Sequence, residues 1–154
     1  MNIAVMGIAA LVAWVITALG GFVMLGQWIR RGGLRQQRGG ITRFPAGLMF
    51  THFGLAAGGL VIWIAYLLTN TERLAWVAFV LLFPVALLGF VMLARWIPVY
   101  RGHAVAASTP RTGTSTSGSA ETEPAERHLP VPVVVAHGLF AVVTVVLVLL
   151  TALG

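Results

Sequence analysis

Two histidines stand where an ionisable side chain is expensive. His52 lies seven residues after Pro45 in one long apolar run, and His137 lies seven residues after Pro130 in another. Inside a membrane span such a residue is a functional candidate by default, because it must find a partner away from water. A neutral imidazole carries one N–H and one lone pair. It suits axial ligation of haem iron, transition-metal binding or a proton relay. Its purely structural use is an interhelical hydrogen bond, here to Thr51, Thr144 or a backbone carbonyl, worth about 1 kcal/mol. Other chemistry is missing. Cysteine is absent, which excludes disulfides and thiolate sites. There is no G-x-S-x-G, H-E-x-x-H, Walker or G-x-G-x-x-G element. No carboxylate lies in the apolar runs, which argues against hydrolysis or carboxylate-coupled cation transport there.

The elements that must position these histidines are read from hydropathy. The 154 residues are 58% hydrophobic and 9% charged, where soluble domains carry about a quarter charged residues. Mean hydropathy is +0.93. Four runs, 1–29, 44–71, 74–94 and 129–154, contain no Asp, Glu, Lys or Arg. Each meets the roughly 20 residues that a spanning helix needs, and four segments are too few for a closed barrel. The expected fold is all-α and integral to the membrane, with four transmembrane helices at about 3–29, 45–69, 74–97 and 130–153 bundled in one domain, 1–154. The first run lacks a basic n-region and reads as a retained helix.

The net charge is +6 and every basic residue is arginine. Nucleic acid is not the expected partner, because these arginines flank apolar segments as the positive-inside rule requires. The first loop carries Arg30, Arg31, Arg35, Arg38 and Arg43 with no acid, so it is expected in the cytoplasm. "NTER" is a tight turn on the other side. The loop 98–128 then returns to the cytoplasm, and both termini lie outside a plasma membrane whose lipid is the main partner. Residues 104–128 are Ser/Thr/Gly/Pro-rich and are expected to form a disordered linker, with His103 and His128 solvated near its ends. Trp28, Trp96, Trp63, Tyr66 and Trp76 fall near the helix ends, where aromatic residues fit interfacial belts, though plain anchoring and packing is the expected role of all five.

The chain also repeats itself. "ALGGFVMLGQWI" (18–29) and "ALLGFVMLARWI" (86–97) agree at nine of twelve positions, at an offset of 68. "FPAGLMFTH" (44–52) and "LPVPVVVAH" (129–137) then align at an offset of 85, each with proline at the helix start and histidine seven residues on. The linker accounts for the change of offset. The bundle is therefore expected to consist of two parallel helix–loop–helix repeats related by an axis along the membrane normal. Seven residues at 1.5 Å rise place each histidine about 10 Å into its helix, at matching depth.

Further residues bear on what the pair could hold. Glycine near a ligand leaves room for a macrocycle: Gly47, Gly54 and Gly58 share a helix face, Gly138 follows His137, and Gly54-x-x-x-Gly58 also fits a helix-contact motif. Arg95 could pair with a haem propionate or snorkel to headgroups. Met24 and Met92 occupy equivalent places in the repeat and, with the two histidines, form a possible copper donor set; their ordinary role is to fill gaps.

Two histidines on two of four helices resemble the haem arrangement of membrane b-type cytochromes, including the cytochrome b561-like bundles. That resemblance implies one haem b with His52 and His137 as axial ligands. It implies electron transport and, as partners, other subunits of a membrane redox complex. Diheme members carry two histidine levels; a single level here excludes two bis-histidine haems. The arginine-only, Ala/Gly/Val-rich composition and the repeat also resemble small four-helix membrane proteins of actinobacteria. The alternative is a non-enzymatic accessory or assembly subunit whose histidines brace the bundle, with copper binding a lesser option; neither reading makes the chain an enzyme on its own. The orientation is checked with C-terminal fusions: alkaline phosphatase should be active and a fluorescent protein dark, and the opposite pattern would overturn it.

Overall fold

The computed structural model describes residues 2–108 and 123–154, the side chains of 103–108 aside. Its helices are α1 (Ile3–Arg30), α2 (Gly33–Gln36), α3 (Ala46–Thr69), α4 (Glu72–Ser108) and α5 (Val131–Leu153), with a 3-10 turn at Ala125–His128 before α5. Four of them are long and apolar enough to cross a membrane: α1, α3, α4 over Glu72–Gly102, and α5. Among the described residues there is no strand.

Local sequence sets the ends. The Asn2 side chain accepts the Ala4 N–H at 3.1 Å and caps α1. Pro45 and Pro130 are the N-cap residues of α3 and α5. Asn70, at φ 53°, takes the left-handed conformation that closes α3, and the chain re-enters a helix two residues later. The third long helix departs from expectation. It runs through Pro98 to Ser108 and does not stop at 97. Proline removes one backbone bond and kinks a helix without obligatorily ending it. Here Trp96 and Tyr100 stack across Pro98 with centroids 5.1 Å apart, and the Trp96 indole donates to the Glu126 carbonyl at 3.2 Å.

The main packings are α1 on α5 and α3 on α4, closed into a ring by α1 on α3 and α4 on α5. The helices bearing the two histidines thus lie on one diagonal. Two apolar clusters fill the ring. One joins Ala10, Trp14, Trp63, Tyr66, Ala78 and Val148; the other, at the arginine-rich end, joins Trp28, Phe44, Met49, Trp96 and Leu129. Four of the five aromatic residues near the helix ends pack inside the bundle. Trp28, Trp63, Tyr66 and Trp96 are buried between helices, and Trp76 alone of the five is exposed, at 41%. Indole N–H groups drive this, since each finds a partner inside: Trp63 donates to the Gly7 carbonyl and Trp28 to Thr42 Oγ1, both at 3.2 Å. Gly33 lets Trp28 in, for a Cβ there would stand 2.2 Å from the indole.

Both ends of the 104–128 linker are structured, which corrects that expectation for the described part; its residues 109–122 lie outside the described residues. Glu126 is 0% exposed. Its carboxylate accepts the Arg43 N–H at 2.5 Å and the Thr42 hydroxyl at 2.8 Å. The Gln36 amide donates to the Glu123 carbonyl and accepts the Ala125 N–H, both at 2.8 Å. Arg127 pairs with Glu123, partly exposed at the surface of this segment. His128, expected to be solvated, has a buried Nδ1 without a hydrogen-bond partner. The two loops are therefore latched to each other. Glu126→Ala leaves two donors without an acceptor and should cost about 2–4 kcal/mol. Glu126→Gln, which keeps an acceptor oxygen, should cost less. Thermal unfolding in detergent checks this, and an unchanged melt for Glu126→Ala would refute the latch.

Candidate functional site

Between the two clusters the histidines meet. Their ring centroids are 6.3 Å apart, with planes inclined at 51°. His52 Nδ1 lies 3.0 Å from the Val85 carbonyl oxygen on α4, and His137 Nδ1 lies 2.9 Å from the Thr17 carbonyl oxygen on α1. A carbonyl can only accept, so Nδ1 carries a proton in both rings. A neutral ring then keeps its lone pair on Nε2. Among the described residues neither Nε2 has a hydrogen-bond partner.

Small residues flank the approach. Each accepting carbonyl already receives the helical N–H four residues on, from Gly21 for Thr17 and from Gly89 for Val85. The imidazole is a second donor to the same oxygen, and it must pass beside that fourth residue. A Cβ at Gly21 would stand 3.3 Å from His137 Cε1, a tight contact, and one at Gly89 would stand 3.5 Å from His52 Cε1, an ordinary one, so it is side chains longer than a methyl group that the rings leave no room for. Thr17 and Val85 are 68 residues apart, as are Gly21 and Gly89, while the histidines are 85 apart. These are the two offsets of the sequence repeat.

Comparison with known protein families, curated proteins and solved structures gives no match.

The remaining candidates fall elsewhere. Arg95 donates from Nη1 to the Arg43 carbonyl at 3.0 Å, beside the start of α3. Met24 and Met92 pack against the cluster of Trp28 and Trp96, the gap-filling role of thioethers. A Cβ added at Gly47, Gly54, Gly58 or Gly138 would meet nothing within 4 Å, so these glycines neither border the imidazoles nor join helices within the chain. That corrects the expectation placed on them; Gly20, Gly21 and Gly89 have the role instead. Thr51 is exposed, and Thr144 bonds the Phe140 carbonyl at 2.8 Å, so of the three structural partners considered for the histidines the backbone carbonyl is the one used. The His103 side chain lies outside the described residues. No group of three or more His, Asp or Glu side chains gathers as a metal site among the described residues, which leaves the two-imidazole pair.

One asymmetry breaks the correspondence. An apolar crevice of about 280 Å³, lined by Ile16, Gly20, Pro132, Ala136 and Phe140 among others, reaches His137 from the side of α1 and α5. Residue 88, at the repeat offset from Gly20, is leucine.

The glycine requirement is testable apart from any cofactor. In protein labelled with ¹⁵N-histidine, both rings should report a proton on Nδ1. Gly89→Leu should disturb the His52 signal and spare that of His137, and Gly21→Leu should do the reverse, each with about 1–3 kcal/mol of overpacking cost. Signals unmoved by both substitutions would show that the glycines do not hold the rings.

Proposed function

We propose that the chain is a small membrane protein that holds one b-type haem between His52 on α3 and His137 on α5 and passes electrons through it. The observation that carries the reading is the pair of Nδ1–carbonyl bonds. A metal-bound histidine characteristically donates its other ring N–H to a carbonyl or carboxylate, which fixes the tautomer and raises ligand basicity. The separation also supports it: the ring centroids stand 6.3 Å apart, so His52 and His137 are the two residues that would hold the iron. Bound haem supplies a one-electron iron couple. The chain contributes two oriented ligands, an apolar surrounding that tunes potential, and exclusion of water. Arg95 lies six residues beyond Gly89, about 9 Å along α4. It has used one of five N–H donors, so a propionate remains within its chemistry. The two-repeat architecture, with both termini outside a plasma membrane, belongs to this reading, and the matched carbonyl contacts support it. One histidine level means one iron, so donor and acceptor come from partners, such as other subunits of a redox complex.

A second reading has its own observation. The same bonds tie α3 to α4 and α5 to α1, which is what an accessory subunit braced by histidine requires. Copper ranks below both, because Met24 and Met92 are committed to the packing around the tryptophans.

Spectra separate these readings. Protein purified from haem-replete cells should show a Soret band that shifts on reduction. His52→Ala and His137→Ala should each abolish the six-coordinate spectrum, while His128→Ala, Met24→Leu and Met92→Leu leave it intact. If the protein is colourless and either histidine variant loses only about 1 kcal/mol of stability, the bracing role stands and the haem reading fails.

A further inference from the structure

The end of α1 forms a site of another kind. Phe22, Val23, Gly26, Gln27, Arg30 and Arg31 line one open groove. They follow a single stripe of the helix, apolar at one end and cationic at the other. A Cβ at Gly26 would meet nothing within 4 Å, so the groove is open at its middle. The chain then turns at Gly32, whose φ is +85°. Over that glycine folds Arg35, with Nη2 3.3 Å and Nε 3.5 Å from where a Cβ would stand. Arg35 thus lies over the residue that follows Arg31, next in the chain to the cationic end of the groove. Among the described residues none of Arg30, Arg31 and Arg35 pairs with an acid, and the loop 30–43 contains no Asp or Glu.

This charge is not a by-product of the sequence repeat. At the offset of 68 the stripe reads Phe90, Val91, Ala94, Arg95, Pro98 and Val99. The apolar half is kept, the glycine gains a methyl group, and both terminal arginines are lost. Three guanidiniums without a counter-ion repel one another, and an anion among them relieves that repulsion. The groove continues from them along a helix apolar and long enough to cross a membrane. An occupant that uses both halves has an anionic head and a hydrocarbon tail.

We infer that this groove binds an anionic phospholipid, with its phosphate on Arg30, Arg31 and Arg35 and its first acyl carbons along Phe22, Val23 and Gly26. Guanidinium suits phosphate because its planar fork donates two parallel hydrogen bonds. The Gln27 amide adds a donor at the level of the headgroup esters. The inference needs a membrane-embedded chain and is independent of the haem reading.

Native mass spectrometry of the full chain, taken from mixed phosphatidylglycerol and phosphatidylcholine, tests it. Wild type should retain phosphatidylglycerol in preference to phosphatidylcholine. Arg31→Gln should reduce that preference about fivefold, and each further arginine removed should do so again. Gly26→Leu keeps every charge but fills the groove, and it should also lose the retained lipid. Arg73→Gln, in the turn between α3 and α4, should change nothing. Circular dichroism and elution volume establish that each variant is folded. Equal retention of both lipids, or a preference that survives in the folded R30Q/R31Q/R35Q variant, would overturn the proposal. Retention undiminished in Gly26→Leu would overturn it too, since surface charge alone would then be the cause. Displacement of the lipid by soluble glycerol phosphate at equal concentration would also sink it, by marking a site for free phosphate.

Discussion

A polar hydrogen inside an apolar bundle has no water to bond, and the fold is arranged around that constraint. The imidazole N–H groups of His52 and His137 and the indole N–H of Trp63 all end on backbone carbonyls of other helices. Each bond fixes how far one helix is rotated against its neighbour, which apolar packing alone leaves loosely set in lipid. The acceptors are carbonyls already used once in their own helices, so no backbone bond is sacrificed. The requirement falls on the neighbouring side chain, which must be small. Glycine at positions 21 and 89 meets that requirement beside the two rings.

At the arginine-rich end the same constraint is met by different means. Residues 31–45 and 123–130 are short of regular helix, so their backbone groups need side-chain partners. Gln36 and Gln37 each use both halves of an amide: Gln36 on Glu123 and Ala125, Gln37 on Phe44 and Ala46. Glu126 is the single buried carboxylate among the described residues, and it takes its hydrogen bonds from Thr42 and Arg43. The resulting network sets where α3 and α5 begin. It therefore sets the height of both histidines, each seven residues beyond its N-cap proline. Order in the loops is what registers the pair in the core.

Much of this was legible in the sequence. Hydropathy located four helices because apolar length is a one-dimensional property, and the N-cap prolines marked two starts. The histidine pair was legible because its residue type is costly in that setting. Helix ends near Pro98 were not, since the helix continues past that proline with a Trp96–Tyr100 stack across it and a Trp96 bond to the distant Glu126 carbonyl, neither of which local proline chemistry foretells. The glycines were misassigned for a related reason. Gly47, Gly54 and Gly58 attract notice by sharing a helix face, yet which face turns inward depends on packing that hydropathy of a uniformly apolar helix does not encode. The signal for Gly21 was nonetheless present: it opens the repeated "GFVML", and the pentapeptide begins on the residue that borders the imidazole. Glu126 left no such mark, because an acid in a polar segment looks solvated until its partners are placed around it.

The bracing and ligand roles of the histidines use different atoms. Bracing employs Nδ1–H, and metal binding employs the lone pair on Nε2. A hydrogen bond at Nδ1 does not compete with ligation; it selects the tautomer that ligation needs and holds the ring still. Bracing gains from both bonds, since one ties α3 to α4 and the other ties α5 to α1. Bringing the second imidazole to 6.3 Å from the first adds nothing to either helix contact, since each ring satisfies its own carbonyl on a separate helix pair. The closeness of the rings is what the proposed haem site draws on, and it is a feature that bracing does not require.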